Sequence, residues 1–313
     1  MRRVPASLAA VVCALGLAAC GDGAEPGASR EATLILDFTP NAVHAGLYAA
    51  LEEGMYAKRG LDLEVREPSA STDAPKLLEA GRADLAVMDI HDVGLAHERG
   101  FELRIVAAIV QRPLAAVIAN EGIRRPRALT GASVGVTGLP SDDAVLDAVL
   151  EADGVDPGAV ERITIGFDSV PALASGRVDA VTAFWNAEGV ALRRRGVATR
   201  EFRVDDFGAP TYPELVMVAP RGTSANLSAV ATAVTEGYER VVKEPERALD
   251  ALLQANPALD PAEQRAQLDS LLEAGAFSPA GRLDLGELRA WARWDVEHGI
   301  LDQPPRVTDL VGR

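Results

Sequence analysis

The chain has 313 residues, 48% of them hydrophobic and 25% charged, with a formal net charge of −15 at pH 7. That length suffices for one large domain or two lobes, and the acidic balance argues against nucleic acid and anionic membranes as partners. Both cysteines, Cys13 and Cys20, fall in the first twenty residues, so the rest of the chain has none for a disulfide, a thiolate metal site or a cysteine nucleophile.

The first segment reads as an export signal. Arg2 and Arg3 form a charged start, Leu8 to Leu17 an apolar core too short to span a bilayer, and small residues follow. Leu17-Ala18-Ala19-Cys20 has the pattern of a bacterial lipobox. It predicts a signal peptide over residues 1–19 and lipidation of Cys20, whose two or three acyl chains would hold the protein on a membrane. The small, polar run GDGAEPGASR predicts a flexible tether over 20–31.

From Thr33 onward, apolar runs alternate with helical patterns. Strands are expected at Thr33–Leu36, Leu61–Val65, Asp84–Met88 and Arg104–Val110, with helices at His44–Arg59 and Thr72–Ala80. Gly60 and Gly81 stand where helices end. The pattern restarts with strands at Leu114–Ala119, Ser133–Thr137, Ile163–Ile165 and Ala180–Ala183, and helices at Ser141–Ala152 and Val170–Ala174. A strand at Leu215–Val218 follows, and then helices at Asn226–Lys243, Glu246–Ala255, Pro261–Glu273 and Leu285–Glu297. This rhythm predicts an α/β chain with doubly wound sheets. One unit is inserted in another, with crossovers near 112–119 and 210–219.

Ligands of open α/β sheets sit at the carboxyl ends of strands. Asp37-Phe38-Thr39-Pro40-Asn41 leaves the first strand there, with Asn41 as a helix cap and Asp37 and Phe38 as acceptor and apolar wall. Phe184-Trp185-Asn186-Ala187-Glu188 follows another strand. An indole can stack on a flat heterocycle whose amino groups donate to the carboxylate. Ser141 is expected to cap a helix whose free N–H groups could hold an anion. Tyr212 lies at the return crossover, where it could close a cleft. The spacing of His91 and His97 is not that of a zinc helix, and no HExxH, Walker loop or dinucleotide fingerprint is present. No metal or cofactor is expected.

LDFTPNAVHAGLY at 36–48, LPSDDAVLDAVL at 139–150, GFDSVPALASGRVDA at 166–180 and WNAEG at 185–189 together resemble the substrate-binding lipoproteins of ABC importers. Within these the chain is similar to the thiamine-pyrimidine-precursor binding family, which is related to the pyrimidine synthases. The resemblance implies a two-lobed periplasmic-binding-protein type II fold, each lobe a doubly wound, mostly parallel sheet flanked by helices. Lobe 1 would comprise 32–113 and 218–313, and lobe 2 would comprise 114–217.

It also implies a ligand held by Asp37, Phe38 and Asn41 on one wall and Trp185, Asn186 and Glu188 on the other. His44, Asp89, Gln111, Ser141 and Tyr212 complete the candidate set, with Arg112 as the nearest basic group for an anionic ligand. A monomer is expected, lipid-anchored on the extracytoplasmic face and partnered by a permease and its ATPase. The chain departs from the family in Phe38, where tryptophan is frequent, and in Met88-Asp89-Ile90-His91-Asp92. Riboflavin, nitrate, sulfonate or taurine therefore stay open as ligands, as does a sensor role. A synthase is disfavoured, because the resemblance to that enzyme group implies a cysteine-rich segment and a lysine at the site, and no lysine lies between Lys76 and Lys243.

Overall fold

A computed structural model describes residues 30–70, 73–223 and 225–311. The expected signal peptide and Cys20 lie outside them. The first half alternates strand and helix: β1 (Arg30–Ile35), α1 (Ala45–Glu52), β2 (Leu61–Arg66), α2 (Asp73–Glu79), β3 (Leu85–Asp89), α3 (Ile90–Glu98) and β4 (Leu103–Ala108). The chain then crosses to β5 (Ala115–Asn120), β6 (Ser133–Val136), α4 (Pro140–Ala152), β7 (Glu161–Thr164), α5 (Ser169–Ala174), β8 (Ala180–Phe184), α6 (Glu188–Arg194) and β9 (Thr199–Arg203). It returns through β10 (Leu215–Pro220) and ends in α7 (Leu227–Lys243), α8 (Pro245–Ala255), α9 (Pro261–Glu273), α10 (Leu285–Glu297) and α11 (Val307–Val311).

Two five-stranded sheets result, in the orders β2-β1-β3-β10-β4 and β7-β6-β8-β5-β9. In the first, β10 runs antiparallel to both neighbours, and in the second β5 does the same. The strands around them are parallel. These are the expected mostly parallel sheets, and each odd strand begins where a crossover delivers the chain. Strands buried on both faces read as continuous apolar runs, as in β3 (LAVMD) and β10 (LVMVAP). One face of the first sheet packs Leu34 and Leu85 toward Leu47 and Tyr238, and the other packs Ile35 and Met88 toward Trp291.

Several boundaries differ from those expected. Arg30 and Glu31, placed in the tether, pair with Leu61 and Asp62 as the start of β1. Leu215–Met217, assigned to lobe 2, belong to β10 in the first sheet. The helix expected over His44–Arg59 ends at Glu52, because Gly54 turns left-handed at φ 65° and a separate 3-10 turn follows at Ala57–Arg59. Strand β9 has the sequence TREFR, whose polar pattern hid it.

The crossovers are fastened by Glu214, which is fully buried. Its Oε2 accepts from the backbone N–H groups of Leu114 (2.5 Å) and Ala115 (3.2 Å). Its carbonyl accepts from Ile90 N at 2.9 Å. Replacing Glu214 by Ala strands two buried donors and should cost about 2–4 kcal/mol of stability at roughly 1–2 for each N–H. Glu214→Gln, which keeps an acceptor, should cost less. Urea unfolding of the two variants checks both the size and the order.

Candidate functional site

A cavity lies between the sheets at the carboxyl ends of β1, β3, β6, β7 and β8, lined from both sides. Asp37, Phe38 and Asn41 come from the β1–α1 connection, and Asp89 and Asp92 from the start of α3. Opposite them stand Thr137, Ser141 and Asp142 at the start of α4, Phe167 before α5, and Thr182, Phe184, Asn186 and Glu188 around the end of β8. Phe38 and Phe167 meet edge to face across the cleft, centroids 4.6 Å apart at 78°.

The Asp37 wall is set by local hydrogen bonding. Asn41 is extended at φ −154°, and its side chain accepts from Val43 N at 2.9 Å. His44 Nδ1 accepts from Asn41 N at 3.1 Å, closing a capping box. With Nδ1 an acceptor, Nε2 carries the proton and donates to Asp37 Oδ1 at 2.9 Å. His44 is itself fully buried and does not line the cavity. It orients Asp37 rather than touching a ligand, which corrects its expected role.

The opposite wall is built from the end of β8 and the turn that follows it. Phe184, Asn186, Ala187 and Glu188 line the cavity, while Trp185 does not. Trp185 is 1% exposed, its Nε1 donates to Pro113 O at 3.1 Å, and the Arg203 guanidinium lies 4.3 Å over its ring. It is a core residue of the second lobe and not a stacking wall. Asn186 is 0% exposed, and neither atom of its amide has a hydrogen-bond partner among the described residues. Glu188 Oε2 accepts from Phe184 N at 3.1 Å. Burial, against the pull of backbone N–H groups and with the help of Asp142 and Asp37, pushes the Glu188 carboxyl up to about 7.

The remaining expected ligands separate. Asp89 lines the cavity, accepts from His91 N at 2.8 Å, and is pushed well up by burial and by the Glu214 carboxylate behind it. Ser141 also lines the cavity but is not a helix cap: Leu139 holds that position without a side-chain bond, and Pro140 opens the helix. Gln111 points away, donating to the carbonyls of Pro279 (2.7 Å) and Arg282 (3.1 Å). Tyr212 is buried behind the cleft with its hydroxyl 3.1 Å from His91 Nε2. Arg112 is held by Asp205 at 2.9 Å and by the Ala274 carbonyl at 2.8 Å.

Sequence reasoning missed Asp92 and Asp142 as lining groups. Burial raises both, Asp142 to about 6, and each also feels neighbouring carboxylates. Phe167, a third aromatic beside Phe38 and Phe184, also lines the cavity. All three follow strand ends, which is the one signal that could have found them.

The donor atoms of Asp89, His91 and Glu214 lie within 4.8 Å of one another. They do not suit a metal. Both ring nitrogens of His91 are already engaged: Nδ1 lies 2.7 Å from Asp295 Oδ1 and 3.1 Å from Trp291 Nε1, and Nε2 contacts the Tyr212 hydroxyl. Burial opposes its charge, but Asp295 and Asp89 outweigh that and raise His91 to about 10. Neither nitrogen is turned toward Asp89 and Glu214 as a metal ligand would be. Trp185→Ala should lower stability by about 3–5 kcal/mol, as for other buried tryptophans, and chemical denaturation measures it. A loss of ligand affinity with unchanged stability would contradict this placement.

Comparison with known proteins agrees with this geometry. Residues 41–248 match the family model described as NMT1/THI5 like. A formylaminopyrimidine-binding protein of Halalkalibacterium halodurans is 32% identical, over 93% of this chain and 92% of its own. A 4-amino-5-hydroxymethyl-2-methylpyrimidine phosphate synthase of Legionella pneumophila is 23% identical over 72% of this chain and 74% of its own. Among solved structures, the alkanesulfonate-binding protein SsuA of Xanthomonas axonopodis pv. citri covers 92% of this chain and 97% of its own with a TM-score of 0.69 at 18% identity. The periplasmic aliphatic sulphonate binding protein SsuA of Escherichia coli covers 90% and 97% with a TM-score of 0.70 at 15% identity. The expected two-lobed binding-protein fold is thus shared with solved binding proteins, and the chain belongs to the NMT1/THI5-like family.

Proposed function

We propose that this protein is the solute-binding component of an ABC importer and captures a small nitrogen heterocycle, a pyrimidine of the thiamine-precursor type, between its two lobes. The observation that carries this reading is Asn186. Its buried amide offers a donor and an acceptor side by side to the cavity, neither engaged within the described protein. A 4-aminopyrimidine presents the complementary pair, an exocyclic N–H beside a ring nitrogen. Glu188 and Asp37 supply further acceptors, and Phe38, Phe167 and Phe184 supply the flat apolar contact such a ring needs. The relative from H. halodurans is named for binding a formylaminopyrimidine, which supports the same class of ligand here.

Sulfonate, nitrate and taurine fit less well. Among the described residues, no lysine, arginine or histidine lines the cavity, and Arg112 is committed elsewhere. The same lining, with no lysine to hold an aldehyde cofactor, favours a binder over a synthase. Binding would work by closure: the ligand bridges the lobes and stabilises the closed form by its differential affinity, and a permease with its ATPase would receive that form.

In a thermal-shift and calorimetry panel, aminopyrimidines should raise the melting temperature while nitrate, taurine and alkanesulfonates leave it unchanged. Asn186→Ala should weaken aminopyrimidine binding by about 10- to 100-fold, the loss expected when a buried polar contact goes unmade. A response to sulfonates alone would refute the heterocycle reading.

The location follows from the export signal and Cys20. We place the protein on the extracytoplasmic face, anchored by lipid on Cys20. Among the described residues no helix is long and apolar enough to cross a membrane. Cys20→Ala should move the protein from the membrane to the soluble fraction on fractionation, and retention in the membrane would refute the anchor.

A further inference from the structure

We propose that the cleft takes its ligand as a cation, with the positively charged nitrogen seated between Asp92 of the first lobe and Asp142 of the second. This rests on the reading of the cavity as a pyrimidine site and adds the ligand's charge to it.

Five carboxyl groups line the one cavity: Asp37, Asp89, Asp92, Asp142 and Glu188. Among the described residues, no basic side chain lines it with them. The buried His91 stands behind Asp89 and is taken up by Asp295, Trp291 and Tyr212. Acidic groups alone would not define a site. The second observation is Asn186, fully buried, aimed into the same cavity and with both amide atoms unpartnered among the described residues. It points to a ligand independently of charge.

The carboxyls are arranged to oppose each other when the lobes meet. Asp92 and Asp142 come from opposite sides of the cleft, Asp142 raises the proton affinity of Asp92, and Ser141 beside Asp142 hydrogen-bonds Asp92. Asp92 is faced by Asp89 and His91 from its own lobe. Asp142 is faced by Thr137, Thr182 and Asp143 from its own, and it in turn acts on Glu188. Asp143 is paired with Arg162. Closing this cleft without a cation forces the facing carboxyls to hold protons. A cation between Asp92 and Asp142 replaces those protons, so its charge favours the closed form. The same arrangement rejects phosphorylated pyrimidines, whose anion would meet only carboxylates.

The positive nitrogen can belong to an aminomethyl substituent or to the protonated amidine of the ring. Calorimetry on the full-length protein separates them, using 4-amino-5-aminomethyl-2-methylpyrimidine, its N-formyl and 5-hydroxymethyl counterparts, the hydroxymethyl phosphate, and a 5-aminomethylpyrimidine lacking the 4-amino group. At pH 6, in buffers of differing ionisation heat, binding of the aminomethyl compound should release protons if its substituent carries the charge, whereas a ring that is protonated on binding takes up a proton and offsets that release. Asp92→Asn and Asp142→Asn should each weaken it by about tenfold or more, and the phosphate should not bind. If the substituent carries the charge, the hydroxymethyl and formyl compounds bind more weakly and ignore both substitutions. If the ring carries it, the compound lacking the 4-amino group is the weak one, and the hydroxymethyl and formyl compounds respond to both substitutions.

Pyrimidine affinities unchanged in both variants would overturn the cation assignment and leave the pyrimidine reading intact. So would a wild type that binds all the unphosphorylated compounds equally, a result that needs no variant to fold. Binding of no pyrimidine by the wild type would overturn both readings.

Discussion

A buried carboxylate at the meeting point of the two crossovers is the constraint on which the arrangement of this molecule depends. Glu214 has no exposure, yet it fastens three pieces of chain: β10 through its own backbone, the start of β5 through the N–H groups of Leu114 and Ala115, and α3 through the N–H of Ile90. Strands entering a sheet leave their first donors unpaired unless something accepts from them. Here a side chain from the return crossover does so for the outgoing one. The relation between the two sheets is therefore set by hydrogen bonds that the crossovers make to each other.

That choice has an electrostatic consequence at the cleft. Asp89 lies next to the buried Glu214, and desolvation and that neighbouring carboxyl raise the cost of ionising it. From there a succession of acidic groups runs to the ligand cavity, through Asp92 to Asp142 and on to Glu188 and Asp37. The aromatic contact of Phe38 with Phe167 joins the same two walls. Apolar closure and like-charge repulsion thus act on the same two walls in opposite senses, which makes the closed form sensitive to whatever occupies it.

Much of this was legible in the sequence, for physical reasons that can be named. Apolar runs of β3, β5 and β10 are buried on both faces and stand out as strands. Asn41 caps as its side chain predicts, and Gly60 takes the left-handed φ of 74° that ends the preceding turn. Motifs at strand ends located the cleft. What failed was the resolution within motifs. Trp185 and Asn186 are neighbours in sequence, but only Asn186 lines the cavity, and the turn after β8 that separates them follows no periodic pattern. His44 was grouped with the ligand contacts because its use of both ring nitrogens inside the wall is visible only in three dimensions. The contacts of His91 with Tyr212 and Asp295 join residues 121 and 204 positions apart, a distance over which local pattern carries no information.

The placing of His91 explains why the cleft carries so much unbalanced acid. Behind the cavity wall, Asp295, Asp89 and Glu214 all favour the charged form of His91, whose ring nitrogens contact Asp295, Trp291 and Tyr212. A buried charge of either sign is tolerable only with a partner, and His91 is placed to serve these carboxyls and Asp92. Among the described residues no basic side chain lines the cavity itself. Asp92, Asp142 and Glu188 face the cavity with hydroxyl and backbone donors but no cation of the protein's own among the described residues. One histidine stands among the carboxyls at the rear and no basic side chain lines the front among the described residues, so protons or a solute must supply the balancing charge there, and that bears on which solutes the two lobes can close upon.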